Sequence, residues 1–218
     1  MGKHFIRFIS IVLICALAFS TISAAAAPAP FVDIDYGDWF YDAVLWAYDK
    51  GIMNGINATR FDPYGTMTRA MLVTVLWRYA DSPDAGIPSF EDVSRYRWYG
   101  TAVAWANESG IVTGISETEF APNRPINRQE MYTILFRYMN FAGLDIPARD
   151  MQLLKFADEA DISNWALDSM YFMHDASVMH MLSESDMYAR PLENAVRGEI
   201  AYAMFHFDAY AEVVSIVS

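Results

Sequence analysis

Residues 67–79 read MTRAMLVTVLWRY, and residues 126–138 read INRQEMYTILFRY. Both stretches place Thr or Asn directly before an arginine and then repeat apolar residues every three or four positions. That spacing is the period of an amphipathic helix. In the first stretch the apolar stripe consists of Leu72, Val75, Leu76 and Tyr79. Each stretch therefore predicts a helix that buries one face.

The two helices belong to a longer repeated pattern. Its landmarks recur at a displacement of 59 residues, as Trp39 and Trp98 or Arg69 and Arg128 show. The shared order from Phe31 onward is F-x-D, W, A-V, W-A, G-I, G, F-x-P and then the helix. A repeated unit that buries only one face must pack against its neighbours.

A third copy begins at Phe156 and has diverged. Trp165 and Arg197 keep their places in it, whereas Met181 replaces the second glycine of the pattern. The pattern predicts an all-α fold in which three helix-loop-helix units form one pseudo-threefold bundle. We divide the chain into a first unit (28–80), a second unit (81–140), a degenerate third unit (141–210) and a short apolar tail (211–218).

The first 27 residues have the composition of an export signal. Lys3 and Arg7 precede an apolar run of roughly 12 residues, and a stretch of small residues follows. A membrane-spanning helix needs about 20 apolar residues. We therefore predict a signal peptide at residues 1–27 and a secreted product that does not span the membrane after cleavage.

Composition excludes several classes of function. The chain has 15 Lys+Arg and 27 Asp+Glu, and this acidic balance argues against nucleic acid as a partner. The single cysteine excludes a disulfide framework, and neither G-x-S-x-G nor H-E-x-x-H occurs. Asp33, Asp35 and Asp38 resemble the start of a calcium loop but lack its glycine and closing glutamate, so we interpret Asp38 as a helix N-cap. We predict no enzyme activity, cofactor or metal.

Between Phe31 and Tyr210 these landmarks resemble the S-layer homology (SLH) domain of bacterial surface proteins. The resemblance implies three SLH repeats that form a three-pronged unit with ligand grooves between neighbouring repeats. It further implies non-covalent attachment to the cell wall or S-layer. The implied partner is secondary cell-wall polysaccharide, often pyruvylated, or another peptidoglycan-linked glycan. A surface protein-protein adaptor without carbohydrate binding is the alternative.

The I-T-R-A-E motif of that family keeps only its arginine in all three copies. A cation in the first turn of a helix opposes the helix dipole, so an anionic partner is expected there. One interpretation is a structural salt bridge to Asp33 or Asp92. The other is an anion receptor made of the guanidinium and free helix N–H groups. The motif stands as Met67-Thr68-Arg69-Ala70-Met71, Ile126-Asn127-Arg128-Gln129-Glu130 and Ala195-Val196-Arg197-Gly198-Glu199.

The second interpretation defines a set of candidate ligand-binding residues. Its tryptophans would offer flat faces to a sugar or else lie in the core, and its glycines would leave room in a groove or else form tight turns. Because Met181 would fill a pocket, we expect at most two competent grooves and a structural role for the third arginine. The set is Arg69, Arg128, Arg197, Asp33, Asp92, Trp39, Trp98, Gly55 and Gly114.

Overall fold

The computed structural model describes residues 30–144, 155–181 and 187–217. The predicted signal peptide and part of the connection between the second and third units lie outside these ranges. The described residues form six α-helices and no strands, which confirms the all-α prediction. The helices are α1 (Tyr41–Asp49), α2 (Arg69–Tyr79), α3 (Gly100–Glu108), α4 (Arg128–Phe141), α5 (Leu167–Asp175) and α6 (Arg197–Val217), with short 3-10 turns at Glu159–Asp161 and Asn164–Ala166.

The helix ends follow local chemistry. Asn127 and Glu130 form a capping box at the start of α4, and Thr68 caps α2. Gly51 stops α1 with a φ of 71°, a conformation that residues with a Cβ rarely adopt. The predicted N-cap role of Asp38 is wrong, because α1 begins at Tyr41 and the Asp38 carboxylate instead accepts a bond from the Asp35 N–H at 2.7 Å.

The last helix is longer than predicted. Residues 211–217 were expected to form a tail after the third unit, but α6 continues through Val217. Among the described residues, no helix combines the length and the apolar character that crossing a membrane requires.

The helices pack between units. In each unit the first helix lies against the second helix of the preceding unit, so α3 packs on α2, α5 on α4 and α1 on α6. The last pairing joins the third unit back to the first and closes a ring. Among the described residues, the helices of each unit have their main packing partners in a neighbouring unit, as the repeat pattern predicted.

A ring of backbone hydrogen bonds joins the units where their second helices begin. The N–H of Met67 donates to the carbonyl of Ala195 at 3.0 Å, that of Ala195 to Ile126 at 2.9 Å, and that of Ile126 to Met67 at 3.0 Å. All three residues are fully buried. Farther along the helices, the rings of Tyr79, Tyr138 and Phe207 meet with centroids 5.5–6.1 Å apart.

Candidate functional site

The motif arginines reach across the unit boundaries. Arg69 donates from Nε to the carbonyl of Phe120 at 2.8 Å and from Nη2 to that of Thr113 at 2.9 Å. The other two arginines repeat this pair of bonds, so each unit grips the loop of the next unit in the ring. Arg128 binds the carbonyls of Ala189 (2.9 Å) and His180 (3.1 Å), and Arg197 binds those of Phe61 (2.8 Å) and Asn54 (2.6 Å).

The aspartates of the F-x-D motif hold the same loops from the other side. Asp92 accepts bonds from the N–H groups of Phe120 at 2.9 Å and Ala121 at 2.7 Å. Phe120 is therefore held through its N–H by its own unit and through its carbonyl by Arg69. Asp33 bonds Phe61 and Asp62 in the same way, and Asp158 bonds Ala189 and Arg190.

This arrangement decides between the structural partners considered for the arginines. The expected salt bridge from Arg69 to Asp33 or Asp92 is not formed, because carbonyl oxygens take the guanidinium bonds. Burial by itself would raise the pKa of Asp33, but the bonds from the Phe61 and Asp62 N–H groups outweigh it and lower that pKa below its ordinary value. Both aspartates position loops.

The helix N–H groups that an anion receptor would use are also occupied. The N–H of Arg69 donates to the carbonyl of Arg124 at 3.1 Å, and that of Ala70 donates to Pro122 at 3.0 Å. Corresponding bonds are made at the starts of α4 and α6. This part of the anion-receptor hypothesis is wrong, because carbonyl groups from a loop of a neighbouring unit already accept these hydrogen bonds. The N–H groups are therefore not available to a ligand.

Beside Arg69 lies an open groove that is larger than the corresponding groove beside Arg197; we call the two the large groove and the small groove. The large groove is a cavity of about 460 Å³, and the Trp165 side chain of the third unit stands at it 55% exposed. Arg69 is 5% exposed and stacks over the Phe120 ring at 4.6 Å. The lining of this large groove consists of Arg69, Thr113, Gly114, Ile115, Glu130, Thr133, Ile134, Arg137 and Trp165.

Beside Arg197 lies the small groove. Its wall is formed by residues of the first unit, in positions equivalent to those of the second unit in the large groove. Its volume is about 170 Å³, and Trp98, 59% exposed, takes the place that Trp165 has in the large groove. Met71 stands where the large groove has Glu130, and Arg78 stands where it has Arg137. The Arg78 Nη1 donates to the carbonyl of Ile52 at 3.2 Å.

The third position in the ring is filled by the protein itself. His180 stacks on Trp39 with centroids 3.7 Å apart, Tyr202 meets His180 at 5.1 Å, and His206 meets Tyr202 at 4.1 Å. We call these four residues the aromatic plug. Arg128, beneath the plug, is 3% exposed and pairs with the carboxylate of Glu199.

The surroundings of His180 in the plug also determine its protonation state. Burial, together with the charge of Arg128 and the neighbouring His206, lowers the pKa of His180 to about 4. Its Nδ1 is buried with no hydrogen-bond partner in the part of the chain that the structure describes. His180 is therefore neutral at pH 7 and acts as an aromatic packing group.

The plug shows which arginine lies next to the divergent loop of the third unit. Met181 and His180 belong to the loop that Arg128 holds, so the divergence of the third unit affects the position of Arg128. Arg197 instead holds the intact loop of the first unit and lines an open groove. The sequence could not show this because it does not reveal which loop each arginine reaches.

The two recurring glycines, Gly55 and Gly114, are needed by their own loops. A Cβ on Gly114 would lie 2.6 Å from the carbonyl oxygen of Glu119, and one on Gly55 would lie 2.6 Å from that of Arg60. Such contacts are too short to be tolerated without backbone movement. Of the two interpretations, the tight turn is sufficient, although Gly114 also lines the large groove.

Comparison with known proteins supplies the family context for this geometry. Residues 30–70 and 89–131 match the model of the S-layer homology domain. The SLH domain is a non-catalytic anchoring module that binds cell-wall polymers. Together with surface-layer relatives, its presence supports association with the cell wall or S-layer at the cell surface.

The relatives are much longer than this chain. The Surface-layer 125 kDa protein of Lysinibacillus sphaericus is 30% identical over 161 residues, which are 73% of this chain and 13% of that protein. The Endoglucanase of Bacillus sp. (strain KSM-635) is 27% identical over 172 residues, 79% of this chain and 18% of the relative. The S-layer protein sap of Bacillus anthracis is 30% identical over 144 residues, 65% of this chain and 17% of that protein.

Sequence reasoning missed three residues that line the two grooves. Trp165 was seen as a landmark but not as a ligand candidate, and Arg78 and Arg137 were seen only as part of a recurring L-x-R-Y pattern. The recurrence of an arginine on an otherwise apolar helix face was the available signal. Of the predicted set, Trp98, Gly114, Arg69 and Arg197 line open grooves.

Proposed function

We propose that this chain anchors its protein at the cell surface by binding an acidic secondary cell-wall polysaccharide in the large and small grooves. The observation that supports this proposal is the pairing of a guanidinium with an exposed tryptophan in each of these grooves; the guanidinium is buried in Arg69 and half-buried in Arg197. On a chain with a formal net charge of −12, these are local positive sites next to flat apolar faces. Such a combination suits a sugar that carries a carboxylate, for example a pyruvyl ketal.

The proposal includes the third unit as a degenerate SLH repeat within a three-pronged module. It contributes Trp165 to one groove and Arg197 to the other, although its own loop carries the plug. Two weak sites on a repetitive polymer increase retention through effective concentration. Two grooves are therefore sufficient for firm attachment.

The experiment is a pull-down with purified cell walls before and after hydrofluoric acid removes the secondary polymer. The wild-type chain is expected to bind only untreated walls. Equal retention on stripped walls would contradict the proposal and favour peptidoglycan or a surface protein as the receptor, which is the adaptor alternative.

The informative variants are exposed tryptophans. Trp98→Ala combined with Trp165→Ala is expected to abolish retention, because both side chains stand open at the grooves. Tyr36→Ala is the matched control, since Tyr36 is exposed but lines neither groove. Arg69 and Arg197 are unsuitable for this purpose because their loss would release the loops that form the grooves.

A further inference from the structure

The aromatic plug covers a tryptophan whose counterparts in the other two units are exposed. Trp98 and Trp165 are 59% and 55% exposed at the small and large grooves. The corresponding Trp39 is half-buried, and the His180 ring stacks on it with centroids 3.7 Å apart. His180 stands where Thr113 stands in the large groove, since each offers its carbonyl to Nη2 of a motif arginine. We call the position that the plug fills the third groove.

The closed plug leaves buried polar atoms without hydrogen bonds. Among residues 30–144, 155–181 and 187–217, nothing bonds Nδ1 of His180 or the hydroxyl of Tyr132, whose fully buried ring lies next to Arg128. A buried polar atom without a partner disfavours the state that buries it, because water would bond to it in an open state. Ring contacts hold the plug closed against this cost, so a change of charge in the plug can displace the equilibrium.

The charges around His180 disfavour a proton on its ring. Nη2 of Arg128 binds the His180 carbonyl at 3.1 Å, which places a fixed positive charge near the imidazole. The Glu199 carboxylate, which α6 brings to this place, is already paired with Arg128. The ionisable groups that α4 and α6 contribute around the plug are Arg128, Tyr132, Glu199, Tyr202 and His206.

The acids on the Trp39 side are engaged elsewhere or exposed. The Asp38 carboxylate accepts a hydrogen bond from the Asp35 N–H at 2.7 Å, and Asp42 is exposed on α1. A proton on His180 in the closed plug would therefore be a second positive charge beside Arg128, without a carboxylate of its own.

The same contacts set the direction in which pH acts. Burial, together with the charges of Arg128 and His206, lowers the pKa of His180 to about 4 in the closed plug. An imidazole in water has a pKa near 6.5. Acid therefore favours the state in which the ring is exposed. With these two values, the ratio of open to closed plug should rise by about 20-fold between pH 7 and pH 5.

We propose that the aromatic plug is an acid-sensitive closure of the third groove: the protonated His180 ring swings off Trp39 and leaves the groove open while the ring of units stays folded. The backbone bonds among Met67, Ile126 and Ala195 do not involve the plug, so the fold does not depend on its closure. The module then exposes the tryptophan of the first unit in acid and covers it at neutral pH. This inference concerns conformation alone and holds whatever the grooves bind.

The test is hydroxyl-radical footprinting of the full chain at pH 7 and pH 5, with the oxidised residues identified by mass spectrometry. The measured quantity is the oxidation rate of Trp39 relative to that of the exposed Trp98. This ratio should be well below one at pH 7 and should rise toward one at pH 5. Trp105, which is 5% exposed, reports on the rest of the fold and should stay protected at both pH values.

Three variants identify the group that is responsible. His180→Phe keeps a ring on Trp39 that cannot take up a proton, so Trp39 should stay protected at pH 5. His180→Gly removes the ring and should expose Trp39 at both pH values, which supplies the reference for the open state. His174→Phe is the matched control, because His174 packs against Phe156 outside the plug, and it should show the same rise as the wild type.

Three outcomes would overturn the proposal. They are an unchanged Trp39 ratio in the wild type, the same rise in His180→Phe as in the wild type, and a simultaneous rise at Trp105, which would show general unfolding. The cell-wall pull-down at pH 7 tests the proposed function separately, because the plug is closed there and the large and small grooves do not depend on it.

Discussion

At the scale of single residues, the three motif arginines do not all have the same partners. Arg69 and Arg197 donate hydrogen bonds to carbonyl oxygens and lie over aromatic rings. Arg128 also forms an ion pair with the Glu199 carboxylate. In the loop that it holds, Arg128 meets Ala189 where the other two arginines meet Phe120 and Phe61, and its aromatic contact is with Tyr132 at 5.6 Å. A charge buried as deeply as that of Arg128 needs compensation, and Glu199 supplies it.

The Arg128–Glu199 pair leads to a stability prediction. Arg128→Ala should lower the free energy of unfolding by about 3–5 kcal/mol, because it leaves the Glu199 carboxylate buried without its partner. Urea denaturation at pH 7 measures this loss. Arg97→Ala, at an exposed arginine, is the control and should change little. A loss below about 1 kcal/mol for Arg128→Ala would contradict this account of the pair.

His180 leads to a prediction about pH. Its pKa in the folded chain, about 4, lies below the value near 6.5 of an unfolded histidine. The unfolded chain therefore binds a proton first, so the contribution of His180 is complete above about pH 6.5 and is lost as pH falls toward 4. Burial shifts the pKa of His206 in the same direction.

The measurement is the midpoint of urea unfolding between pH 4 and 7, compared between the wild type and His180→Phe. Phenylalanine keeps a ring against Trp39 and cannot take up a proton, so the variant should lose less stability on acidification. Identical pH profiles for the two chains would show that His180 does not titrate as its burial implies.

At the scale of elements, the helix starts differ in quality. At the start of α4, the Asn127 side chain accepts a hydrogen bond from the Glu130 N–H at 3.0 Å, and the Glu130 carboxylate accepts one from the Asn127 N–H at 3.2 Å. At the start of α2, the Thr68 side chain accepts a hydrogen bond from the Met71 N–H at 3.3 Å, and Met71 has no carboxylate to form the second bond of a capping box. Asn127→Ala should therefore cost about 1 kcal/mol of unfolding free energy, and Thr68→Ala should cost less. Equal losses, measured by denaturant unfolding, would contradict this ranking.

Most of the elements were predictable from local sequence. The capping box and Gly51 gave correct ends for α4 and α1 because they act within one turn. Asp38 misled because an aspartate before a helix can also close a turn of its own, as it does with Asp35. Contacts between units, such as Arg69 with Phe120, depend on ring order, which equal repeats do not specify.

At the scale of the whole molecule, the repeat predicted the all-α fold and the packing of each unit against its neighbours. It did not predict which of the grooves between units are open. Each groove takes its arginine, its wall and its tryptophan from different units. Divergence in one unit therefore changes a site that the sequence appears to assign to another. Arg197 is an example, since it lies in the third unit and lines a groove whose wall belongs to the first unit.

The ring also makes a prediction about truncation. A chain that ends at Glu193 lacks α6, and α1 at the opposite end of the sequence then loses the helix on which it packs. We expect far-ultraviolet circular dichroism to show loss of much more helix than α6 contains. A chain that ends at Glu212 removes only the last part of α6 and should keep the fold. Normal helix content in the remainder of the shorter chain would contradict the dependence of α1 on its packing against α6.

The bonds among Met67, Ile126 and Ala195 have a further consequence for how such a module can grow. In a solenoid each repeat stacks on the last, so copies can be added or lost one at a time. Here the backbone N–H and carbonyl of each of the three central residues bond to the other two residues. The first unit already packs against the third through α1 and α6. A fourth copy would find no vacant edge, so enlargement of a protein of this kind requires a second complete trio.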